Sequence, residues 1–504
     1  MINTIRIIGA GTMGRGIAQT AATAGITVEL TDVSAEAVDE AVEFITSILL
    51  RSVEKGTRTA SDAQAVIERI RTGIQPTDPT DTVDLVIEAV VENLEVKQRL
   101  FRDLESAAPH ALLASNTSSI PISAIGGGLS RPEKLIGLHF FNPVPLMKLV
   151  EIIPGIRTDA EVVTACREFT ERVGHTPIIA RDTPGFLVNH LGRALLTESL
   201  AALAENVAPV ADIDRIVRDV LGLKMGPFEL MDLTGLDVSH PVMTNVATGF
   251  YGDPRLRPSP LAAGRVSAHL FGRKTGEGFY SYADGRQLTP PEQVITPCAT
   301  AVPLHPVENE ALIESLQQAG VLLSREATAE AVSVVTPLGV PVHRAAVAAG
   351  TDPCRTIGID PLSIGTERTV VIVPPSLDVA AGKAAIQAIA AASPSVTVTS
   401  DGPAPVAQRI LAAIVNLGCA LAEQSIGTPR DIDLGARLGL GYPAGPFELG
   451  EKYGPEKIRT ILDGILEYTA DPRYRASGWL RARAELGIPL AAMGTRAHDL
   501  VSCP

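Results

Sequence analysis

The first 180 residues alternate short apolar runs with longer amphipathic stretches. Residues 5–8, 27–30, 83–87, 112–114 and 135–138 are apolar runs of strand length separated by helical periodicity. Runs that are continuously apolar belong to strands covered on both faces. The pattern predicts a parallel sheet with helices on both sides, the α/β arrangement of a doubly wound domain. From residue 183 to about 282 the period becomes helical, as in 185–204 and 213–221. A stretch rich in Gly, Pro and Ser from 281 to about 306 reads as a linker. Residues 308–400 return to an α/β pattern, with strand-like runs at 332–335 and 370–373 and an Ala-rich helical run at 380–392. A second helical stretch occupies 403–490.

The two helical stretches are related. With Gly226-Pro227-Phe228-Glu229-Leu230 laid on Gly445-Pro446-Phe447-Glu448-Leu449, an offset of 219, residues 211–230 and 430–449 agree at 11 of 20 positions without a gap. The agreement includes Asp-Ile-Asp at 212–214 and 431–433. That density marks an internal duplication.

Composition narrows the function. Forty-five per cent hydrophobic and 20% charged residues over 504 positions supply the cores of three or four domains. Forty-three Lys and Arg stand against 57 Asp and Glu, a formal charge of −14 without a basic cluster, so neither nucleic acid nor an anionic membrane is an expected partner. Cys166, Cys298, Cys354, Cys419 and Cys503 are far apart and odd in number, which argues against a disulfide framework or a zinc site and fits a reducing cytoplasm. The N-terminus reads as the start of a strand rather than a signal peptide, and no apolar run approaches the ~18 residues of a membrane span.

Gly9-Ala10-Gly11-Thr12-Met13-Gly14 directly follows the first strand and opens a helix. In this context the first glycine permits a tight turn and the second lets backbone approach a pyrophosphate. The third allows close helix–strand packing, and the helix N-terminus attracts the anion. Asp32 follows 18 residues after Gly14, at the end of the second strand. A carboxylate there accepts hydrogen bonds from the adenosine ribose and repels a 2′-phosphate, which favours NAD over NADP.

Ser115-Asn116-Thr117-Ser118-Ser119 forms a polar cluster at the end of another strand, the side of a doubly wound sheet that faces ligands. His139 ends the run 135–138, and Glu151 lies twelve residues on, after the apolar-rich stretch 147–150. A His–carboxylate couple suits oxidation of a secondary alcohol. The imidazole takes the hydroxyl proton as hydride leaves carbon, and the carboxylate fixes the tautomer and stabilises the imidazolium.

The segments GAGTMGRGIA, VIEAVVENLEVK, SNTSSI, GLHFFNPVPLMKLVE and DTPGFLVNHL resemble the short-chain L-3-hydroxyacyl-CoA dehydrogenase family, in order and over about residues 1–282. The duplicated helical stretch resembles the longer bacterial members, described as 3-hydroxybutyryl- or 3-hydroxyadipyl-CoA dehydrogenases. The resemblance implies a Rossmann-type N-terminal domain followed by all-α domains, NAD as cofactor and an acyl-CoA substrate. It implies His139 as the base, Glu151 as its partner, Ser118 against the substrate's 3-oxygen and Asn189 reaching the same centre. Glu92, Lys97 and Asn116 would line the NAD site together with Gly9, Gly11, Thr12, Met13, Gly14 and Asp32. Lys55 would meet CoA phosphates. His190 departs from the family's usual Arg at that place.

The expected domains are a Rossmann-type domain at 1–182, a helical catalytic domain at 183–282, a linker with a degenerate α/β region at 283–402 and a second helical domain at 403–504. The offset puts Gln408 opposite Asn189, and 308–400 holds neither GxGxxG nor HFFNP, so the C-terminal half reads as a copy without its own active site. The resemblance also implies dimers through the helical domain; the internal copy is expected to supply that contact, with a homo-oligomer through other faces left open. No metal site is expected. Competing readings are a dehydrogenase of a non-CoA hydroxy acid, as in the gulonate dehydrogenases, and a non-catalytic NAD-binding relative.

Overall fold

The computed structural model describes residues 1–495 and Leu500; Cys503 lies outside the described residues. Cys166, Cys298 and Cys354 are free thiols. The chain forms two compact units, Met1–His190 with Gln424–Leu440, and Leu191–Glu423 with the described residues from Gly441 onward.

The first unit is built on eight strands: β1 (Thr4–Ile8), β2 (Thr27–Thr31), β3 (Ile70–Arg71), β4 (Leu85–Glu88), β5 (Leu112–Ser115), β6 (Leu135–Phe140), β7 (Leu149–Pro154) and β8 (Thr176–Ile179). Their order in the sheet is β3-β2-β1-β4-β5-β6-β7-β8. The chain winds outward from β1 in both directions, so a crevice opens at the ends of β1 and β4, where such sheets bind ligands. Helices including Thr12–Thr23, Ala35–Glu54 and Leu94–Ala107 carry the crossovers. Ile5, Ile7, Val28, Leu30, Leu85, Val86 and Ile87 are fully buried, which is why these strands read as unbroken apolar runs.

One expectation is corrected. The sheet is not parallel throughout, because β6 and β7 pair antiparallel and β8 follows the direction of β7. Only residues 141–148 connect β6 to β7, too few for the helical crossover that a parallel pair requires. This reversal sets His139 directly opposite Glu151 in the ladder.

The second unit contains two sets of helices. Arg193–Ala204, Val210–Asp219, Pro227–Thr234 and Leu236–Gly249 form the first; Val406–Glu423, Pro446–Tyr453, Pro455–Thr469 and Gly478–Leu486 form the second. Helices 193–204 and 406–423 pack against each other. Buried Arg409 joins them, with Nε 2.7 Å from Glu198 and Nη1 2.6 Å from Glu205. The helix Val406–Glu423 corrects a second expectation. It is long and apolar enough to cross a membrane, with mean hydropathy 1.4 over 18 residues, and 89% of that window is buried inside the fold. Gln408, Arg409 and Asn416 on it are buried and hydrogen-bonded to neighbouring elements, as befits a core helix.

A hairpin of β9 (Ser281–Ala283) and β10 (Arg286–Leu288) opens the segment read as a linker. A five-stranded sheet follows, β11 (Leu304–Pro306), β12 (Val332–Val335), β13 (Thr356–Ile359), β14 (Thr369–Val373) and β15 (Val396–Ser400), in that order. Only its β13–β14 pair is antiparallel, which is the pattern of β4 to β8 with its single reversal at β6–β7. Local details recur as well. Val91-Glu92-Asn93 returns as Val307-Glu308-Asn309, and each Asn side chain caps a helix, at 3.0 Å to the Val96 N–H and 2.9 Å to the Leu312 N–H. Asp182 accepts from the N–H groups of Ile122 and Ser123 at 2.8 and 2.7 Å. Asp401 accepts from those of Val342 and His343 at 2.8 and 3.2 Å. The duplication therefore reaches back through the α/β region. The copy begins at the equivalent of β4 and lacks a counterpart of β1, the glycine turn and β2.

Candidate active site

At two of its three glycines, Gly9 and Gly14, the turn leaves no room for a side chain. A Cβ on Gly9 would stand 2.5 Å from the Ala89 carbonyl oxygen, and one on Gly14 would stand 1.7 Å from that of Gly9. A Cβ on Gly11 would meet nothing within 4 Å, so this exposed glycine fronts open space at the start of helix Thr12–Thr23. Asp32 accepts from the Ala10 N–H at 2.8 Å and from the Ser34 N–H at 3.1 Å, tying the end of β2 to the glycine turn. Gly9, Gly11 and Asp32 line a cavity of about 500 Å³ with Val33, Val90 and Leu100 among its apolar walls. A largely apolar slot with Asp32, Arg99 and Asp103 as its charged residues, next to a helix N-terminus with open space at Gly11, fits an adenosine and pyrophosphate. Thr12 is exposed at the first helical turn, and Met13 is half-buried and packs on the sheet core.

His139 and Glu151 are buried on neighbouring strands, with Nδ1 2.6 Å from Oε2. The other carboxylate oxygen accepts two backbone N–H groups, from Leu187 at 3.0 Å and Val188 at 2.8 Å. Phe141 lies 4.4 Å from the imidazole, centroid to centroid, and Phe186 lies 6.0 Å away. The ring is thus clamped through Nδ1 and flanked by aromatic carbon, with Nε2 on the side away from Glu151. A base oriented by a buried carboxylate has this geometry.

The polar loop after β5 is organised by Glu92. Its Oε1 accepts from the Thr117 hydroxyl at 2.7 Å, from the Ser118 and Ser119 N–H groups at 3.1 Å each and from the Ser119 hydroxyl at 2.9 Å. Burial by itself would raise the Glu92 pKa. The Thr117 hydrogen bond, the charge of Lys97 and the Ser119 and Ser118 bonds outweigh it and hold the carboxyl below its ordinary value. Ser118 is half-buried, and its carbonyl accepts from the Asn189 amide at 3.4 Å. Asn116 Oδ1 accepts from the Phe140 N–H at 2.9 Å, which pins this loop to the residue after His139. Ser118, Asn189, Glu92 and Asn116 therefore share one connected network beside the His–Glu pair.

Lys97 is almost fully buried, with Nζ 2.5 Å from Glu88 and 3.4 Å from Glu92. Glu88 escaped the sequence reading although it ends the apolar run of β4. Its carboxylate also accepts from the Ser115 hydroxyl at 2.6 Å and the Val90 N–H at 2.8 Å. The N–H groups of Leu187 and Val188 were equally invisible, because any residue type could supply them. Lys55 caps the C-terminal end of helix Ala35–Glu54 and is exposed, and among the described residues no hydrogen bond joins it to this network. His190 is buried directly after Asn189.

In the copy, Asp360 follows β13 as His139 ends the equivalent run of β6, and its backbone pairs with Val370 rather than with an acid. Gln408 donates to Asp360 at 3.0 Å and to the Pro337 carbonyl at 2.9 Å, and its own carbonyl accepts from the Gly339 N–H at 2.9 Å. The equivalent place holds a closed structural knot with no His–carboxylate pair.

A nucleotide-binding sheet that carries such a pair defines an NAD-dependent oxidoreductase, and the comparisons agree. Residues 4–183 match the family model "3-hydroxyacyl-CoA dehydrogenase, NAD binding domain", and residues 185–282 and 406–495 both match "3-hydroxyacyl-CoA dehydrogenase, C-terminal domain". A 3-hydroxyadipyl-CoA dehydrogenase of Escherichia coli is 35% identical over 96% of this chain and 98% of its own length. A probable 3-hydroxybutyryl-CoA dehydrogenase of Bacillus subtilis is 40% identical over 56% of this chain and 98% of its own. The crystal structure of a 3-hydroxybutyryl-CoA dehydrogenase from Escherichia coli K12 superposes with a TM-score of 0.85 at 32% identity, covering 96% of this chain and 99% of that one. The chain belongs to the 3-hydroxyacyl-CoA dehydrogenase family.

Proposed function

We propose that this protein interconverts an L-3-hydroxyacyl-CoA and its 3-ketoacyl-CoA with NAD, and that His139, Glu151, Ser118 and Asn189 form its catalytic centre. The 2.6 Å contact between His139 Nδ1 and Glu151 carries the reading. Bound NAD supplies the hydride acceptor. With Nδ1–H directed at Glu151, His139 presents an unprotonated Nε2 that takes the hydroxyl proton as the C3 hydride departs. Glu151 stabilises the positive charge that then develops on the ring. The Ser118 hydroxyl and the Asn189 amide are suited to hydrogen-bond the 3-oxygen. Gly9, Gly11, Gly14, Thr12 and Met13 form the turn and helix start beneath the pyrophosphate, and Asp32 faces the ribose. Glu92, Lys97 and Asn116 act on the nicotinamide side by holding the Ser/Thr loop, while Lys55 is assigned to CoA phosphate contact.

In this reading residues 1–182 are the NAD-binding domain, 183–282 the catalytic helical domain, 283–402 a linker with the degenerate α/β region, and 403–504 the duplicated helical domain. The packing of helix 406–423 on helix 193–204 supports a role for the copy as an internal replacement for a dimer partner. The substrate is a short or ω-carboxylated 3-hydroxyacyl-CoA, and the compartment is the cytoplasm, where NAD and acyl-CoA pools meet. The test is NADH oxidation followed at 340 nm with acetoacetyl-CoA, then kcat/KM for 3-hydroxyacyl-CoAs of increasing length with 3-hydroxyadipyl-CoA included. Turnover of free hydroxy acids but of no CoA thioester would refute it.

A further inference from the structure

The C-terminal copy contributes residues 424–440 to the first unit, and these residues reach the backbone that holds Glu151. The Arg181 N–H donates to the Ile426 carbonyl at 2.9 Å, and its guanidinium to that of Gln424 at 3.2 Å. Asp431 faces Arg167 and takes the N–H of Ile179. Beyond it Gly435–Gly439 forms a π-helical turn, whereas the first copy is α-helical over Val210–Asp219.

The glycines in this segment stand where side chains of the first unit are seated. A Cβ on Gly427 would come within 2.4 Å of Leu187 Cδ1, and one on Gly435 within 2.7 Å of Leu187 Cδ2. A Cβ on Gly439 would lie 2.8 Å from Val188 Cγ1 and 3.0 Å from Leu149 Cδ2. At the 219-residue offset the first copy carries Ala208, Ile216 and Val220 at these places. The second copy carries less side-chain carbon than the first at each of the three, although glycine is among the poorest helix formers. Leu187 and Val188 are the residues whose N–H groups hold Glu151 Oε1.

We propose that residues 424–440 of the copy are a positioning element for the reaction. They brace Leu187 and Val188, these fix the Glu151 carboxylate, and Glu151 fixes His139. The inference rests on the reading of His139 and Glu151 as the catalytic pair. It assigns to the C-terminal half a part in turnover that its lack of an active site conceals.

The test compares Gly435→Ala, Gly439→Ala and Gly450→Ala in the full chain. Gly450 lies in the same copy but in the second unit, where a Cβ would stand 2.3 Å from Leu490 Cδ1, so it reports the cost of crowding alone. Misplacement of a reacting group by about 1 Å costs up to ~10²-fold in rate. Gly435→Ala and Gly439→Ala should lower kcat about tenfold or more, with KM for acetoacetyl-CoA and Kd for NADH within about twofold. Gly450→Ala should lower the melting temperature and leave kcat alone. Leu187→Val removes the Cδ carbons that a Cβ at 435 would strike, so Gly435→Ala with Leu187→Val should recover most of the lost kcat. Retained NADH affinity shows that the fold survives, and if Gly435→Ala does not fold, Gly439→Ala decides. Variants at 435 and 439 that behave like Gly450→Ala would overturn the inference while wild-type turnover leaves the catalytic reading standing. A wild-type chain inactive on every 3-ketoacyl-CoA would remove both.

Discussion

Glu151→Gln separates an orienting carboxylate from a merely buried one. Glu151 is fully buried, and its Oε1 sits between two donors, the N–H groups of Leu187 and Val188 at 3.0 and 2.8 Å. A glutamine at 151 must turn its oxygen toward those donors, because its NH2 group there would leave two buried N–H groups facing a third donor. The amide NH2 then points at His139 Nδ1, where the carboxylate stood at 2.6 Å. Nδ1 is forced to accept, the ring proton moves to Nε2, and the nitrogen meant to take the hydroxyl proton is already occupied. The variant also loses the charge opposite the imidazolium. With charge centres ~4 Å apart and an effective dielectric constant of ~20, that interaction is about 4 kcal/mol, close to a thousandfold in rate. The expectation is a fall in kcat of about 10²–10³-fold for oxidation of 3-hydroxybutyryl-CoA, followed as NADH formation at 340 nm, with NAD affinity and melting temperature close to wild type. A folded Glu151→Gln enzyme within threefold of the wild-type kcat would refute the assignment of His139 as base and Glu151 as its orienting partner.

Four further outcomes are expected. Gly11→Val should fold normally, since its side chain would enter open space, and should lose NADH binding in a fluorescence titration; Gly14→Ala should instead lower the melting temperature, because its Cβ would stand 1.7 Å from the Gly9 oxygen. Asp32→Ala should raise KM for NAD and narrow the preference over NADP about tenfold or more, and an unchanged cofactor ratio would place the ribose contact elsewhere. Burial raises the Asp360 pKa to about 6, Gln408 and the backbone donors opposing only in part. The folded state thus holds this proton more tightly than the unfolded chain, and ionisation removes about 3 kcal/mol as pH rises from about 4 to 6. Asp360→Asn cannot ionise, so its melting temperature should gain on that of wild type across this window and run parallel above it; a constant gap would count against the raised pKa. A chain ending at Tyr282 lacks Arg409 and leaves Glu198 and the apolar face of helix 193–204 uncovered, so light scattering should show self-association or aggregation, whereas a stable, fully active monomer would defeat the internal-partner reading.

The glycine turn, Asp32 and the helical duplication were legible in the sequence because each depends on local rules. A turn that excludes a Cβ at Gly9 and Gly14 demands glycine there, an acid at a strand end needs only the strand before it, and a repeat announces itself by identity. His139 and Glu151 were legible as residue types, but their contact depends on an antiparallel step, and a run such as 147–154 reads the same in either direction. Glu88, and with it the ion pair it forms with Lys97, was hidden for another reason. Each looks like a solvated charge until β4 and helix Leu94–Ala107 enclose both, after which the buried pair requires the 2.5 Å contact it makes. The relation of β11–β15 to β4–β8 lies below sequence identity, since a buried strand asks only for apolar residues of suitable size, and Val and Ile exchange freely there. It emerges from strand order, direction and the recurring contacts of Asp182 and Asp401. The membership of residues 424–440 in the first unit belongs wholly to tertiary structure. A glycine in a helical sequence is only a weak helix former until the fold sets Leu187 and Val188 against it, and proximity between residues some 250 positions apart is decided by packing, not by local preference.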